Sequence, residues 1–377
     1  MWGDVRGARV GCASWSGERE DVAVLWAPGP AAAVTTRSTA AAASCRWTRA
    51  RAPGRCSAVV VNSGNANAAT GARGERDNAA TAAAVAEGIG CPVDEVWVCS
   101  TGVIGQPLDM ARLLPAVRRA CALDADRDRL ARAIMTTDTR PKQADWLGEV
   151  QVAGVAKGSG MIHPDMATML GFAVTDARVT AVDLQALLEE VTEVSFNAIT
   201  VDGDCSTNDT FIVQSTGTGP LARQGTAAWD ELRRGLTSVA TSLARAIAAD
   251  GEGAEHLIEV AVEGLADDAR ARRAARAVAG SSLVKAAVYG RDANWGRVVA
   301  ALGQAGVPDL DQLDLDFAGV PVLRGGAPVA VDEAAATAAM AAPEVRILAR
   351  LPGAGRGVAW GCDLTEGYVK INADYRS

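Results

Sequence analysis

Short β-branched or aromatic runs alternate along this chain with longer segments whose apolar residues recur every three or four positions. That alternation confines it to a mixed α/β or α+β fold. Val22-Ala23-Val24-Leu25-Trp26, Val59-Val60-Val61 and Val96-Trp97-Val98 read as short strands bounded by turn residues. Between the last two, the Ala-rich stretch 78–89 stops at Gly90-Cys91-Pro92, which predicts a helix with its stop signal. Leu184, Leu187, Leu188 and Val191 fall at i, i+3, i+4 and i+7. Trp229, Leu232, Leu236, Val239 and Leu243 step by threes and fours. Each set predicts a helix with one apolar stripe, the second running to Ala249 before the Asp250-Gly251-Glu252-Gly253 stop. Residues 257–263 alternate as a strand, and 266–278 read as a charged, Ala-rich helix with a solvated face. No solenoid-period repeat or low-complexity linker interrupts the series.

Composition narrows the function. The 377 residues are enough for two or three domains with real cores. With 45 Asp+Glu against 37 Lys+Arg the net charge is −8, which argues against nucleic acid or an anionic membrane as partner. No run approaches the ~20 apolar residues of a membrane-spanning helix, and residues 1–6 lack the apolar core of a signal peptide. The eight cysteines contain no C-x-x-C pair and read as reduced, mostly buried thiols of a cytoplasmic protein. His163 and His256 are the only imidazoles, so a His-rich metal site is excluded, and a Ser/His or Cys/His device would have to use one of them. An enzyme built on this chain needs a base of another kind.

The most informative stretch is Lys157-Gly158-Ser159-Gly160-Met161-Ile162-His163-Pro164-Asp165-Met166-Ala167-Thr168-Met169-Leu170. A phosphate loop would need its lysine after the last glycine, and a dinucleotide fingerprint would need glycine where His163 stands, so both fail. From the residues alone, a Gly-rich turn feeding a strand over 169–174 remains open. Further motifs follow in order: 60–67 (Val-Val-Asn-Ser-Gly-Asn-Ala-Asn), 100–105 (Ser-Thr-Gly-Val-Ile-Gly) and 135–139 (Met-Thr-Thr-Asp-Thr). Others are 200–204, 206–210 (Ser-Thr-Asn-Asp-Thr), 250–254, 289–297 (Tyr-Gly-Arg-Asp-Ala-Asn-Trp-Gly-Arg) and 368–375.

Taken together, these motifs identify the chain as a member of the ornithine acetyltransferase (glutamate N-acetyltransferase) family. The resemblance implies a layered sandwich of sheets and helices like the N-terminal-nucleophile fold, with a smaller C-terminal α/β domain. The expected division is a nucleophile domain over 1–279 and a domain over 280–377 that completes the substrate site. It further implies self-cleavage between Ala167 and Thr168, with the new terminal Thr168 as nucleophile and Thr101 and Gly102 as the oxyanion hole. Substrate contacts carry over to Thr137 or Thr136, Lys157, Thr168, Glu252, Asn372 and Ser377. A chain that ends on a substrate contact implies a docked tail.

The residue chemistry agrees with that implication. A threonine hydroxyl is a weak nucleophile without a base, and cleavage before Thr168 frees an α-amine with a pKa of about 7.7–8.0 that can take its proton. The implied reaction is ping-pong transfer from N2-acetyl-L-ornithine to L-glutamate that needs no metal or organic cofactor, with two fragments of each kind in a heterotetramer. The partners are therefore acylated amino acids, amino-acid acceptors and the chain's own fragments. Two departures from the family pattern bear on specificity. Glu255-His256 stands where a small hydroxyl residue and a lysine are usual, and Ala69 and Cys205 stand where cysteine and threonine are common. A paralogue of specialised metabolism with another donor or acceptor, and an amidohydrolase like the L-aminopeptidase/D-esterase enzymes, are the alternatives.

Overall fold

In a computed structural model of the chain, residues 5–163 and 169–374 are described. They form two compact units, one of residues up to Asn197 with Asp204–Ile247, the other of Ala198–Gly203 with the residues from Ala248. No helix among the described residues is long and apolar enough to cross a membrane.

The first unit contains β1 (Arg9–Ala13), β2 (Val22–Thr35), α1 (Ala43–Arg49), β3 (Gly54–Asn65), α2 (Gly71–Ile89), β4 (Val96–Val103), α3 (Met110–Ala120) and α4 (Arg127–Ala133). It continues with β5 (Lys142–Leu147), β6 (Gln151–Lys157), β7 (Leu170–Thr175), α5 (Ala181–Val194), β8 (Thr210–Ser215) and most of α6 (Ala227–Ala249). Its strands make one mixed sheet in the order β4-β3-β2-β8-β7-β6-β5, with β1 also on β2. Period-two alternation sorts their side chains into layers. Val24, Val60 and Val98 pack with Ala82, Val85, Leu113 and Val117 of α2 and α3. Their neighbours Leu25, Val59, Val61, Trp97 and Cys99 join a second cluster with Val155, Phe172, Ile212 and Leu130 of α4. Strands β7 and β8 are buried at every position, the pattern of strands covered on both faces.

The two predicted stripes became α5 and α6. Thr180 accepts the Asp183 N–H at 3.1 Å and caps α5. Leu232, Leu236, Val239 and Leu243 of α6 are all buried. Helix α2 starts at Gly71, seven residues before the predicted 78, because its first turns are polar and carry two glycines. It stops where expected, with Gly90 in the left-handed conformation at φ 72°.

The second unit contains β9 (Leu257–Leu265), α7 (Asp268–Gly280), α8 (Ser282–Tyr289), α9 (Trp295–Gln304), β10 (Asp314–Phe317), β11 (Val320–Arg324) and β12 (Ala327–Pro328). Then come α10 (Glu333–Ala339), β13 (Glu344–Arg350), β14 (Gly355–Cys362) and α11 (Glu366–Asp374). Its sheet runs β12-β11-β10-β13-β9-β14, with β9 and β13 parallel. The charged helix predicted at 266–278 is α7: its arginines face water at 270 and 273, and Ala271, Ala274, Ala275, Val278 and Ala279 are buried against the sheet. The layered α/β architecture expected of the chain is the one it has.

Candidate active site

The long motif is the connection between two antiparallel strands. Lys157 ends β6 opposite Leu170, the first residue of β7, so the two strands meet at one rung on either side of the motif. Gly158 sits at φ 150°. Ala167 and Thr168, the expected cleavage pair and nucleophile, lie outside the described residues, as does Ser377.

Around the end of β6 the structure gathers several residues named from sequence. The Lys157 ammonium donates to Thr136 Oγ1 at 3.2 Å. Thr137 Oγ1 and Ser159 Oγ share a hydrogen bond of 2.7 Å. Thr136 and Thr137 of the Thr-Thr-Asp-Thr run are thus occupied at the site, one by the lysine and one by the loop. Beneath them is a residue to which the sequence reading gave no role. Asp138 is buried and accepts from Lys142 Nζ at 2.6 Å and from the Gly158 N–H at 2.7 Å. Burial pushes its carboxyl up, but the Lys142 and Lys157 charges and the Gly158 hydrogen bond outweigh burial and hold it below the usual carboxylate value.

Thr101 and Gly102 lie near the end of β4, which runs through both to Val103 rather than breaking there into a turn. Gly102 has φ 131°, and a Cβ on it would come within 2.3 Å of the Gly64 carbonyl carbon and 2.5 Å of the Asn65 nitrogen. Only glycine fits. A second residue missed from sequence braces this strand end: the buried Asn208 amide donates to the Ser100 carbonyl at 2.8 Å and to the Ala66 carbonyl at 2.6 Å. The same loop reaches the other cluster. Thr210 N–H donates to Met169 O at 2.9 Å, and Cys205 Sγ lies 2.8 Å from His163 O.

The second unit carries the other two described site residues, and it brings them together. Asn372 Nδ2 donates to Glu252 Oε2 at 2.8 Å, with Glu252 buried. The loop bearing Glu252 is stapled to the start of α11. Thr365 Oγ1 donates to Gly253 O at 2.6 Å, and a Cβ on Gly253 would meet the Tyr368 nitrogen at 2.4 Å. No residue of α11 is buried. The unusual Glu255-His256 pair is also explained. Asp363 Oδ1 accepts both backbone N–H groups at 2.9 and 3.0 Å, and its Oδ2 lies 2.8 Å from His256 Nδ1. Glu255 is exposed, whereas His256 is buried against Asp363.

Lysine, threonine and glycine-bearing loops gathered at the strand ends of a mixed α/β sheet define the class of this protein: an α/β sandwich whose candidate chemistry lies on connections between strands. Comparison with known proteins makes the assignment particular. The ArgJ family model matches residues 5–377, and the chain belongs to that family. The arginine biosynthesis bifunctional protein ArgJ of Symbiobacterium thermophilum is 50% identical over 374 residues, covering 95% of this chain and 93% of that one. Its counterpart in Thermosynechococcus vestitus is 46% identical over 377 residues, covering 92% of this chain and 90% of that one. A crystal structure of the arginine biosynthesis bifunctional protein argJ from Bacillus halodurans aligns with a TM-score of 0.53 at 42% identity, covering 54% of this chain and 98% of that one.

Proposed function

We propose that this chain is a self-processed acetyltransferase of arginine biosynthesis that moves the acetyl group of N2-acetyl-L-ornithine to L-glutamate through an acyl-Thr168 intermediate. Thr168 Oγ first attacks the Ala167 carbonyl and the Ala167–Thr168 C–N bond breaks, which leaves an ester and a free Thr168 α-amine; water then hydrolyses the ester, releasing the Ala167 carboxylate and restoring the Thr168 hydroxyl. That amine takes the hydroxyl proton as Thr168 attacks the acetyl carbonyl, and Thr101 and Gly102 hold the developing oxyanion. Collapse expels ornithine, whose amine receives the proton. The glutamate amine attacks the acyl ester in turn, forms N-acetyl-L-glutamate and regenerates Thr168. Lys157, with Thr136 and Thr137, binds the substrate carboxylate by charge-assisted hydrogen bonds. By the same family resemblance, Glu252, Asn372 and Ser377 are further substrate-binding residues.

What carries this reading is the Lys157–Thr136 contact at the β6–β7 rung that brackets the Ala167-Thr168 pair, in a chain of the ArgJ family. The fragments 1–167 and 168–377 stay associated in a cytoplasmic heterotetramer of two each. The test is incubation with N2-acetyl-L-ornithine, with and without L-glutamate. Glutamate-dependent ornithine release with formation of N-acetylglutamate supports the reading. Glutamate-independent release marks a hydrolase, and turnover confined to other N-acyl amino acids marks a specialised paralogue. Thr168→Ala should leave the chain whole and inactive.

A further inference from the structure

Asp138 takes no part in the reaction as written, yet its carboxylate ties several groups together at the end of β6. Its carboxylate is wholly buried. Oδ1 accepts from the Lys142 ammonium at 2.6 Å and from the Gly158 N–H at 2.7 Å, and Oδ2 accepts from the Thr136 N–H at 3.0 Å. One side chain therefore fixes the backbone of Thr136, whose hydroxyl meets Lys157, and the backbone of Gly158, where the chain leaves the sheet toward the Ala167-Thr168 pair. Its ion partner also sits in the sheet. Lys142 is the first residue of β5 and pairs in register with Ala156, the residue before Lys157. A carboxylate needed only to neutralise buried Lys142 would have no reason to take two backbone N–H groups, one on each segment.

We propose that Asp138 is a positioning residue that locks the Thr136 turn and the Gly158 segment into one arrangement, so that self-cleavage and substrate binding depend on the same carboxylate. The proposal rests on the function proposed above, and its test separates the two.

Asn in place of Asp keeps the shape but offers one acceptor oxygen where Asp offers two, whereas Lys142→Met leaves both acceptors with their backbone donors. Both variants lose the buried ion pair, and both should melt earlier than the wild type. The full-length chain carrying Asp138→Asn or Lys142→Met is followed by intact mass, with the cleavage rate expressed per folded molecule from near-ultraviolet circular dichroism. Asp138→Asn should cleave about 100-fold more slowly, the scale of a misplaced reacting group, while Lys142→Met cleaves at the wild-type rate. Once cleavage is complete, Asp138→Asn should raise KM for the acylated amino acid and Lys142→Met should leave it unchanged. Cleavage of Asp138→Asn at the wild-type rate, or slowing of both variants in step with their melting temperatures, overturns the proposal. A wild-type chain that is never cut overturns the function reading itself.

Discussion

Asn208 and Ser100 are 108 positions apart in sequence, yet the side-chain amide of one donates to the backbone carbonyl of the other at 2.8 Å. That bond ends one residue short of Thr101. Both of its acceptors, Ser100 O and Ala66 O, are carbonyls, so the amide nitrogen is the group that faces them. Asn208→Asp replaces two donations by two carbonyl–carboxylate repulsions and loosens the strand end that carries the proposed oxyanion donors. The expected result is a fall in kcat of about 100-fold with KM for the acyl donor little changed, since those donors act on the transition state. Steady-state kinetics normalised to acyl-enzyme burst amplitude checks it.

Gly102→Ala is predicted to be worse. The added methyl would lie inside contact distance of three backbone atoms of Gly64 and Asn65, and none of these can swing aside as a side chain would. Strands β3 and β4 pair at this point, so the strain is relieved by moving the Thr101-Gly102 amides. Transfer should drop by about 100- to 1,000-fold, the usual cost of removing an oxyanion donor, measured as kcat of fully cleaved material.

Stability should report on the Asp138–Lys142 pair. Removing one member of a buried ion pair costs about 3–5 kcal/mol, so Lys142→Met is expected to lose that much in urea unfolding. The pH dependence has a defined sign. Asp138 titrates lower in the folded chain than its ordinary 3.8, so its contribution is complete above that value and is lost as pH falls through the lower, native one. Thermal midpoints of the wild type should therefore fall more steeply below about pH 4 than those of Asp138→Asn.

The thiols make a separate prediction. Burial pushes Cys12 and Cys45 up to about 12 and Cys121 up to about 11, and it raises Cys56, Cys91, Cys99 and Cys362 as well. Cys205 is exposed. Titration of the native protein with a chromogenic disulfide should give one fast thiol, lost in Cys205→Ser, followed by slow reaction of the rest.

Much of the fold was readable because it rests on periodicity. The 3–4 stripe of α6 and the alternation from Leu257 are local properties, and each became the expected element. The hairpins of β10 to β12 were not anticipated, since strands of two to five residues broken by Gly and Pro carry no lasting period. The site was legible in part through motifs, but its physical support was not. Lys142 looks like any surface lysine until the β5–β6 register sets it opposite Ala156. Asp138 and Asn208 were both inside quoted motifs without a role, because a carboxylate or an amide in a loop reads as turn chemistry. Glu255-His256 read as a charge change beside Glu252, whereas the Asp363 carboxylate, 107 residues on, takes up the buried His256 ring. Such pairings are set by topology, which spacing along the chain does not encode.

The proposed chemistry depends above all on a chain break that creates its own base. N-terminal sequencing of the purified, active protein tests this directly. It should return two starts, the beginning of the chain and a second reading Thr-Met-Leu-Gly from Thr168. Full acetyl transfer by material with the first start alone would contradict it.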